Sequence, residues 1–291
     1  IDVTAGTVAT LDAPFSFSAA TNALQKNDNG VLAFGVGVGN TTLTGAWTIS
    51  AGALRLASNA NLNAATGNLT VSGNGAALQL SNGMTLSKST GVISINANGL
   101  NNAGAIENVS GVNTISSAVT LAAAATVGAT AGTLNIAGGF LGGQGLTVNP
   151  ASGAQVNFTG AMGTGAVPAS ITKIGAGSSA VQAANAGLTT TTLTVKRGIF
   201  SLEGAGTLAG SGLATTYPEG LLRLDNTATN LTNRLGGTRA LTLSGGVFEM
   251  LGSGTAVSSE TVGAVTFAAG NSVMSVISGG RQTDMTVASV A

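Results

Sequence analysis

The chain has 291 residues, of which 44% are hydrophobic, so it is long enough to bury a large core. Only 7% are charged, against a usual share of about 25%, and ten basic side chains balance ten acidic ones, so no net field would gather nucleic acid or an anionic membrane. The chain lacks cysteine and histidine, which excludes disulfides, thiolate or imidazole metal sites and serine–histidine nucleophiles.

Short β-strands are the predicted elements along the whole chain. An apolar–polar–apolar triplet recurs thirteen times, and this period of two is typical of a half-buried strand. In chain order the triplets begin at Leu54, Leu69, Leu78, Ile93, Leu134, Leu146, Val156, Leu193, Phe200, Leu241, Phe248, Val265 and Met274.

The segments between the triplets predict tight turns. They are rich in Gly, Asn and Ser, residues that accept positive φ angles or bond their own backbone. No long stretch has a 3.6-residue apolar period, so we expect little helix. The uncharged stretch between Asn108 and Thr172 is interrupted by many Thr, Asn and Gly residues, so we predict no membrane span.

A longer repeat favours a solenoid. The pattern apolar-x-x-Gly-x-apolar-x-apolar begins at Ile49, Val195 and Leu243, and a partial copy begins at Val3. The spacings of 46, 146 and 48 residues fit pairs of coils of roughly 24 residues, a period typical of solenoids. Tandem β-sandwiches are the alternative, because short strands with frequent turns suit them as well.

Two segments resemble the strand repeat associated with bacterial autotransporter passenger domains. They are Lys26 to Leu56 and Lys173 to Leu202. Each has a leading Lys and, four residues later, a glycine (Gly30 or Gly177). Each then has an Asn-containing turn (Asn40 or Asn185) and the apolar–Gly–apolar ladder. The family commonly has an aromatic residue after the turn, and this chain has none there.

The resemblance implies a right-handed parallel β-helix on the outside of a bacterial cell. In such coils we expect Ala51 and Gly52 to form a corner, with Ile49, Leu54 and Leu56 facing the core. We expect Trp47 to pack at an edge or a coil junction, the other interpretation being a carbohydrate-stacking platform.

Charge is unevenly distributed and predicts the domain organisation. Between Ala57 and Thr172 only Lys88 and Glu107 are charged, whereas thirteen charges follow from Lys173 onward. We therefore predict a low-charge solenoid segment over residues 1–172 and a more charged one over 173–291, with a single continuous solenoid over 1–291 as the alternative.

No motif predicts catalysis, and we expect no catalytic, cofactor-binding or metal site and no cofactor. No two acidic residues lie closer than six residues apart, so only stacking of coils could pair them. The best stacked candidates are Glu203, Glu219 and Asp225 with Arg223, whose alternative role is in ordinary surface ion pairs. A polysaccharide-cleaving enzyme would use Glu219 or Asp225. We expect the Lys196–Arg197 doublet to lie on the solvated surface.

The sequence therefore favours an extracellular or cell-surface structural module, a stiff rod or fibre segment. Strand-like sequences at both ends predict self-association through strand ends. The alternative is an adhesin passenger that binds surface glycans through a face or through the segment Gly210 to Gly237, which contains Tyr217 and Pro218 and which we expect to be irregular.

Overall fold

The computed structural model is an all-β solenoid in which parallel strands stack in about 11 turns. The structure describes residues 1–12, 23–38, 45–59, 62, 66–88, 90–162, 166–185 and 187–291. Parallel pairing throughout the two sheets, of 20 and six strands, confirms the predicted parallel solenoid. Tandem β-sandwiches, which are built from antiparallel sheets, are wrong. The right-handed winding stays a prediction.

The strands of the described residues lie on three faces, which we call faces one, two and three. Along the chain a strand of face three is followed by one of face one, and then by one of face two where that face is described. Face one carries the longest run of strands, and its inward side chains form the main core ladder. Its strands are Val8–Leu11, Val31–Phe34, Ala53–Leu56, Ala77–Leu80, Ile106–Asn108, Ala125–Ala129, Gly145–Pro150, Ser170–Lys173 and Leu241–Ser244.

Faces two and three complete the coils. Face two contains Thr85–Leu86, Val112–Ile115, Thr133–Ile136, Gln155–Phe158, Ser178–Val181, Val247–Leu251 and Val273–Ile277. Face three contains Leu24–Lys26, Trp47–Ile49, Leu69–Ser72, Ile93–Asn96, Val119–Leu121 and Phe140–Leu141. Four strands cross a corner: Thr192–Leu202 and Ala214–Asp225 run from face one to face two, and Ser258–Ala269 and Thr283–Val290 run into face one.

The core is a set of continuous ladders of aliphatic side chains. On face one, Leu32 pairs with Leu54, Leu54 with Leu78, Leu78 with Ile106 and Ile106 with Val127, and all five are buried. Each such side chain contributes roughly 1.5–3 kcal/mol on burial, relative to an exposed one. Because every rung touches the next, the coils share one core.

Coil length agrees with the repeat seen in the sequence. Paired residues lie 21 positions apart for Ile106 and Val127 and 28 apart for Leu78 and Ile106, which brackets the predicted 24. The longest coil carries an insertion between its strands, the short 3-10 helix Leu100–Asn102. All thirteen apolar–polar–apolar triplets lie in strands, as predicted.

Residue 172 lies inside a fully paired strand. Ser170–Lys173 pairs with Gly145–Val148 on one side and with Thr192–Val195 on the other. The ladder of face one therefore runs through the position at which the charge content changes.

The predicted corner at Ala51 and Gly52 is present. Ile49, Leu54 and Leu56 are buried, and Gly52 has a φ of +63°. A Cβ atom at Gly52 would lie 2.2 Å from the carbonyl oxygen of Gly30 in the preceding coil, so no other residue fits there.

Candidate functional site

The stacked carboxylates predicted from the sequence are only partly brought together. Glu203 and Asp225 line one surface cavity of about 450 Å³. Arg223 and Glu203 line a neighbouring cavity of about 270 Å³. Glu219 lines neither of these two cavities. It forms an ion pair with Arg197, with 2.7 Å between Glu219 Oε2 and Arg197 Nε, and both side chains are more than half exposed.

The carboxylate of Glu203 is already occupied by neutral donors. Gln182 Nε2 donates to its Oε1 at 2.8 Å, and Ser201 Oγ donates to its Oε2 at 3.0 Å. Asp225 Oδ1 accepts from the backbone N–H of Thr227 at 2.9 Å and from its hydroxyl. These hydrogen bonds hold the Glu203 and Asp225 side chains in place on a polar surface.

The neighbouring cavity adds amide and guanidinium groups. Gln155 and Asn157 line it together with Arg223. The Nε of Arg223 donates to Glu249 Oε1 in the neighbouring coil at 2.6 Å. Within the described residues, no group of three or more acidic, His or Cys side chains is placed to hold a metal ion. The arrangement can offer hydrogen bonds to a polar ligand.

The two aromatic candidates have different positions. Trp47 is buried in the core, and its ring lies edge-on to Phe34 at 5.8 Å between centroids, which fits the packing interpretation and not the sugar platform. Tyr217 is partly exposed, but the region around it is not the irregular segment that we predict. Tyr217 and Pro218 lie in the strand Ala214–Asp225, so that prediction is wrong for this half of the segment.

The sequence interpretation missed that six charged side chains of the described residues are buried. We expect charges on a solvated face, yet these six sit inside the coils or under their neighbours. They are Lys26, Glu107, Lys173, Arg234, Arg239 and Glu260. The only signal for the lysines was their place at the start of the two resembling segments.

Lys173 occupies a rung of the core ladder on face one, between Val148 and Val195. Its ammonium group donates to the carbonyl oxygen of Gly175 at the following corner and to that of Arg197 in the next coil, the latter at 3.0 Å. Burial, with a smaller effect of the Arg197 charge, lowers the pKa of Lys173 to about 8.

Lys26 makes the same pair of contacts elsewhere. Its ammonium group donates to the carbonyl oxygen of Asp28, two residues ahead, and to that of Ala51 in the next coil at 3.4 Å. Burial lowers the pKa of Lys26, and the nearby charges of Asp28 and Asp2 oppose that shift. The leading Lys of both segments thus ties a corner to the coil that follows.

These two lysines stand at different corners. Lys26 ends a strand of face three, and the chain continues into Val31–Phe34 on face one. Lys173 ends a strand of face one, and the chain continues into Ser178–Val181 on face two. The two resembling segments are therefore displaced from each other by one face.

Two arginines fill the coil interior near residue 235. Arg239 is fully buried, and burial lowers its pKa to about 10. Arg234 donates through Nη1 to the carbonyl oxygens of Gly204 and Gly206 and through Nε to Asn226 Oδ1. Such saturation is what a buried guanidinium needs, since an unpaired one is costly.

Glu260 completes this polar interior from the next coil. Its two carboxylate oxygens accept the backbone N–H groups of Arg234 and Leu235 at 2.7 and 3.0 Å. Burial raises the pKa of Glu260 to about 7, against the lowering effect of these hydrogen bonds and of the Arg234 charge.

A third surface cavity, which we call the neutral groove, lies on face one in the first coils. It measures about 690 Å³ and is lined by residues 5–8, 29–31, 74–75 and 100–101, none of which is charged. It crosses the stacked strands, and the insertion at Leu100 forms one wall.

Comparison with known proteins gives no relative: no protein-family model, no curated protein and no solved structure matches the chain. In the described residues, no helix is long and apolar enough to cross a membrane.

Proposed function

We propose that the chain is an extracellular structural module, a stiff rod or fibre segment of a bacterial cell-surface protein. The observation that carries the proposal is the continuous core ladder of about 11 turns, in which each inner coil pairs with the coil before it and the coil after it. A solenoid of this kind resists bending because each coil is hydrogen bonded and packed along its length. The resemblance to passenger-domain repeats supports the location.

The proposal includes end-to-end association of copies. In the described residues, Val273–Ile277 and Thr283–Val290 pair with strands on one side only. Phe267 is 46% exposed, whereas Leu243, its strand partner in the preceding coil, is buried. Unpaired strand edges with apolar neighbours are templates for further pairing, and a head-to-tail contact that does not close builds a filament.

Electron microscopy of the purified chain tests the structural function. At about 4.8 Å per coil, 11 turns give a rod of roughly 50 Å. We expect straight particles of that length or filaments that are multiples of it, and antibody labelling of intact source cells should place them on the surface. Compact particles, or labelling only after lysis, would contradict the proposal.

A carbohydrate- or surface-binding adhesin is the second candidate function. It is favoured by the surface cavities, whose linings offer the amide, hydroxyl and carboxylate groups that hydrogen bond to sugars. Screening the chain against a glycan array tests it, and an array without a hit would count against it.

A further inference from the structure

The neutral groove has an apolar floor. The outward side chains of Val31, Ala53 and Ala77 form a small buried cluster of their own, separate from the main core, and Leu100 of the insertion packs against it. Next to this cluster, Val8 is 54% exposed. Residues of the first, second, fourth and fifth coils thus line a groove that runs along the solenoid axis.

Three asparagines stand around this floor. Asn29, Asn74 and Asn101 are exposed and line the groove. Their carboxamides make no hydrogen bond to any residue that the structure describes, unlike those of the buried Asn108, Asn113 and Asn185, which are engaged inside the coils. Each free carboxamide offers one acceptor and two donor hydrogens in one plane.

The backbone of the floor is not available to a ligand. Val31–Phe34 pairs with Val8–Leu11 on one side and with Ala53–Leu56 on the other, so its N–H and C=O groups are used in the ladder. A peptide could therefore not add as an extra strand to Val31–Phe34. Recognition at the floor must therefore come from its side chains and from the turns that line the groove.

We propose that the neutral groove binds an uncharged oligosaccharide that lies along the solenoid axis. The C–H faces of its sugar rings rest on Val8, Val31 and Leu100, and its hydroxyl groups exchange hydrogen bonds with the three free carboxamides. The absence of charge in the lining gives no attraction for an anionic glycan. A volume of about 690 Å³ falls within the usual range for ligand sites. This assignment rests on the adhesin function proposed above.

The test uses the full chain on an array that carries neutral and anionic oligosaccharides, followed by titration with the best neutral oligosaccharide. We expect neutral glycans to be retained. The double variant Asn29→Ala/Asn74→Ala should bind at least tenfold more weakly with an unchanged unfolding midpoint, and Val8→Asp should weaken binding as well. Asn271→Ala, which removes an exposed carboxamide far from the groove, is the matched control and should bind as the unaltered chain does.

The outcomes separate the two proposals. Neutral glycan binding that survives both groove variants would overturn the groove assignment and leave the adhesin function standing. Retention of anionic glycans alone would do the same. An array with no hit would overturn both the groove assignment and the adhesin function, and the structural function would remain.

Discussion

The guanidinium of Arg239 donates a hydrogen bond to the carbonyl oxygen of Leu188, 51 residues earlier in the chain, at 3.1 Å. It also reaches Thr191 in that same coil and both Leu208 and Gly212 in the coil between. One buried side chain therefore ties three successive coils through carbonyl oxygens. A Cβ atom on Gly212 would lie 2.8 Å from Nη1, so the glycine leaves the space that this arginine occupies.

Replacing Arg239 with lysine should destabilise the fold strongly. An ammonium group cannot reproduce the planar fork and has only three N–H donors, so at least one of the four carbonyl acceptors loses a charged donor. Hydrogen bonds to charged groups contribute about 1.5–3 kcal/mol each, so we expect a loss of at least about 1.5 kcal/mol in the free energy of unfolding. Denaturant titration followed by circular dichroism measures it. Arg281→Lys, at an exposed position, is the control and should leave the midpoint unchanged.

Replacing Thr216 with valine should stabilise the fold. Thr216 lies in the core ladder between Val195 and Leu243, and its buried hydroxyl has no hydrogen-bond partner among the described residues. Valine has nearly the same shape without that polar group, so we expect a gain of about 1–2 kcal/mol.

A second threonine provides the matched comparison for this prediction. Thr191 is equally buried, but its hydroxyl donates to the carbonyl oxygen of Pro168 at 2.7 Å. Thr191→Val should therefore lower the free energy of unfolding by about 1 kcal/mol. Equal shifts of the denaturation midpoints for the two variants would contradict the prediction.

The buried amine of Lys173 should make stability rise at alkaline pH. Its pKa is about 8 in the folded chain, below the ordinary value of 10.5 for a lysine, so the folded state releases the proton first. The stabilisation that follows from this pKa difference is fully present above pH 10.5 and is lost as the pH falls through 8. The free energy of unfolding changes by something on the order of 3 kcal/mol over this range. Unfolding midpoints of the unaltered chain and of Lys173→Met across this range measure it. Lys196→Met, at an exposed site, should keep the rise that Lys173→Met abolishes.

Glu260 should act in the opposite direction on the acidic side. Its pKa of about 7 in the folded chain exceeds the ordinary glutamate value of 4.5, so the folded state holds the proton more tightly. The stabilisation is fully present below pH 4.5 and is lost as the pH rises through 7. We expect Glu260→Gln to remove this fall, of order 3 kcal/mol, and Glu219→Gln to retain it, when thermal unfolding is followed from pH 4.5 to 8. If the profiles of unfolding temperature against pH were parallel for the unaltered chain and both variants, the prediction would be contradicted.

The strand content was predictable because a period of two is a local property. A triplet such as Leu54 to Leu56 predicts both a strand and which of its side chains face the core, and a glycine such as Gly52 indicates a corner. Stacking into a solenoid followed from the longer repeat. The sequence could not predict which face each strand occupies. The pattern around Gly52 and the pattern around Gly198 are similar, yet they lie at different corners.

The polar interior could not be predicted from composition. Arg234 and Glu260 lie 26 residues apart and meet only because one coil stacks on the next. Burial of such groups depends on a complete set of partners, most of them backbone carbonyl and N–H groups, which leave no trace in the side-chain sequence. The neutral groove was missed for a related reason, since its asparagines at 29, 74 and 101 come from different coils.

The displacement of the two lysine segments by one face has a consequence for how such a chain can change during evolution. The same unit of a strand, its terminal lysine and the following corner fits at two different corners. A recombination event that misaligns two copies of this unit can therefore preserve the lysine contacts even when it does not add or remove a whole coil. The length of the solenoid can then change in steps of one strand and one corner. Searches that assume a fixed coil length will misassign faces in relatives that have undergone such steps.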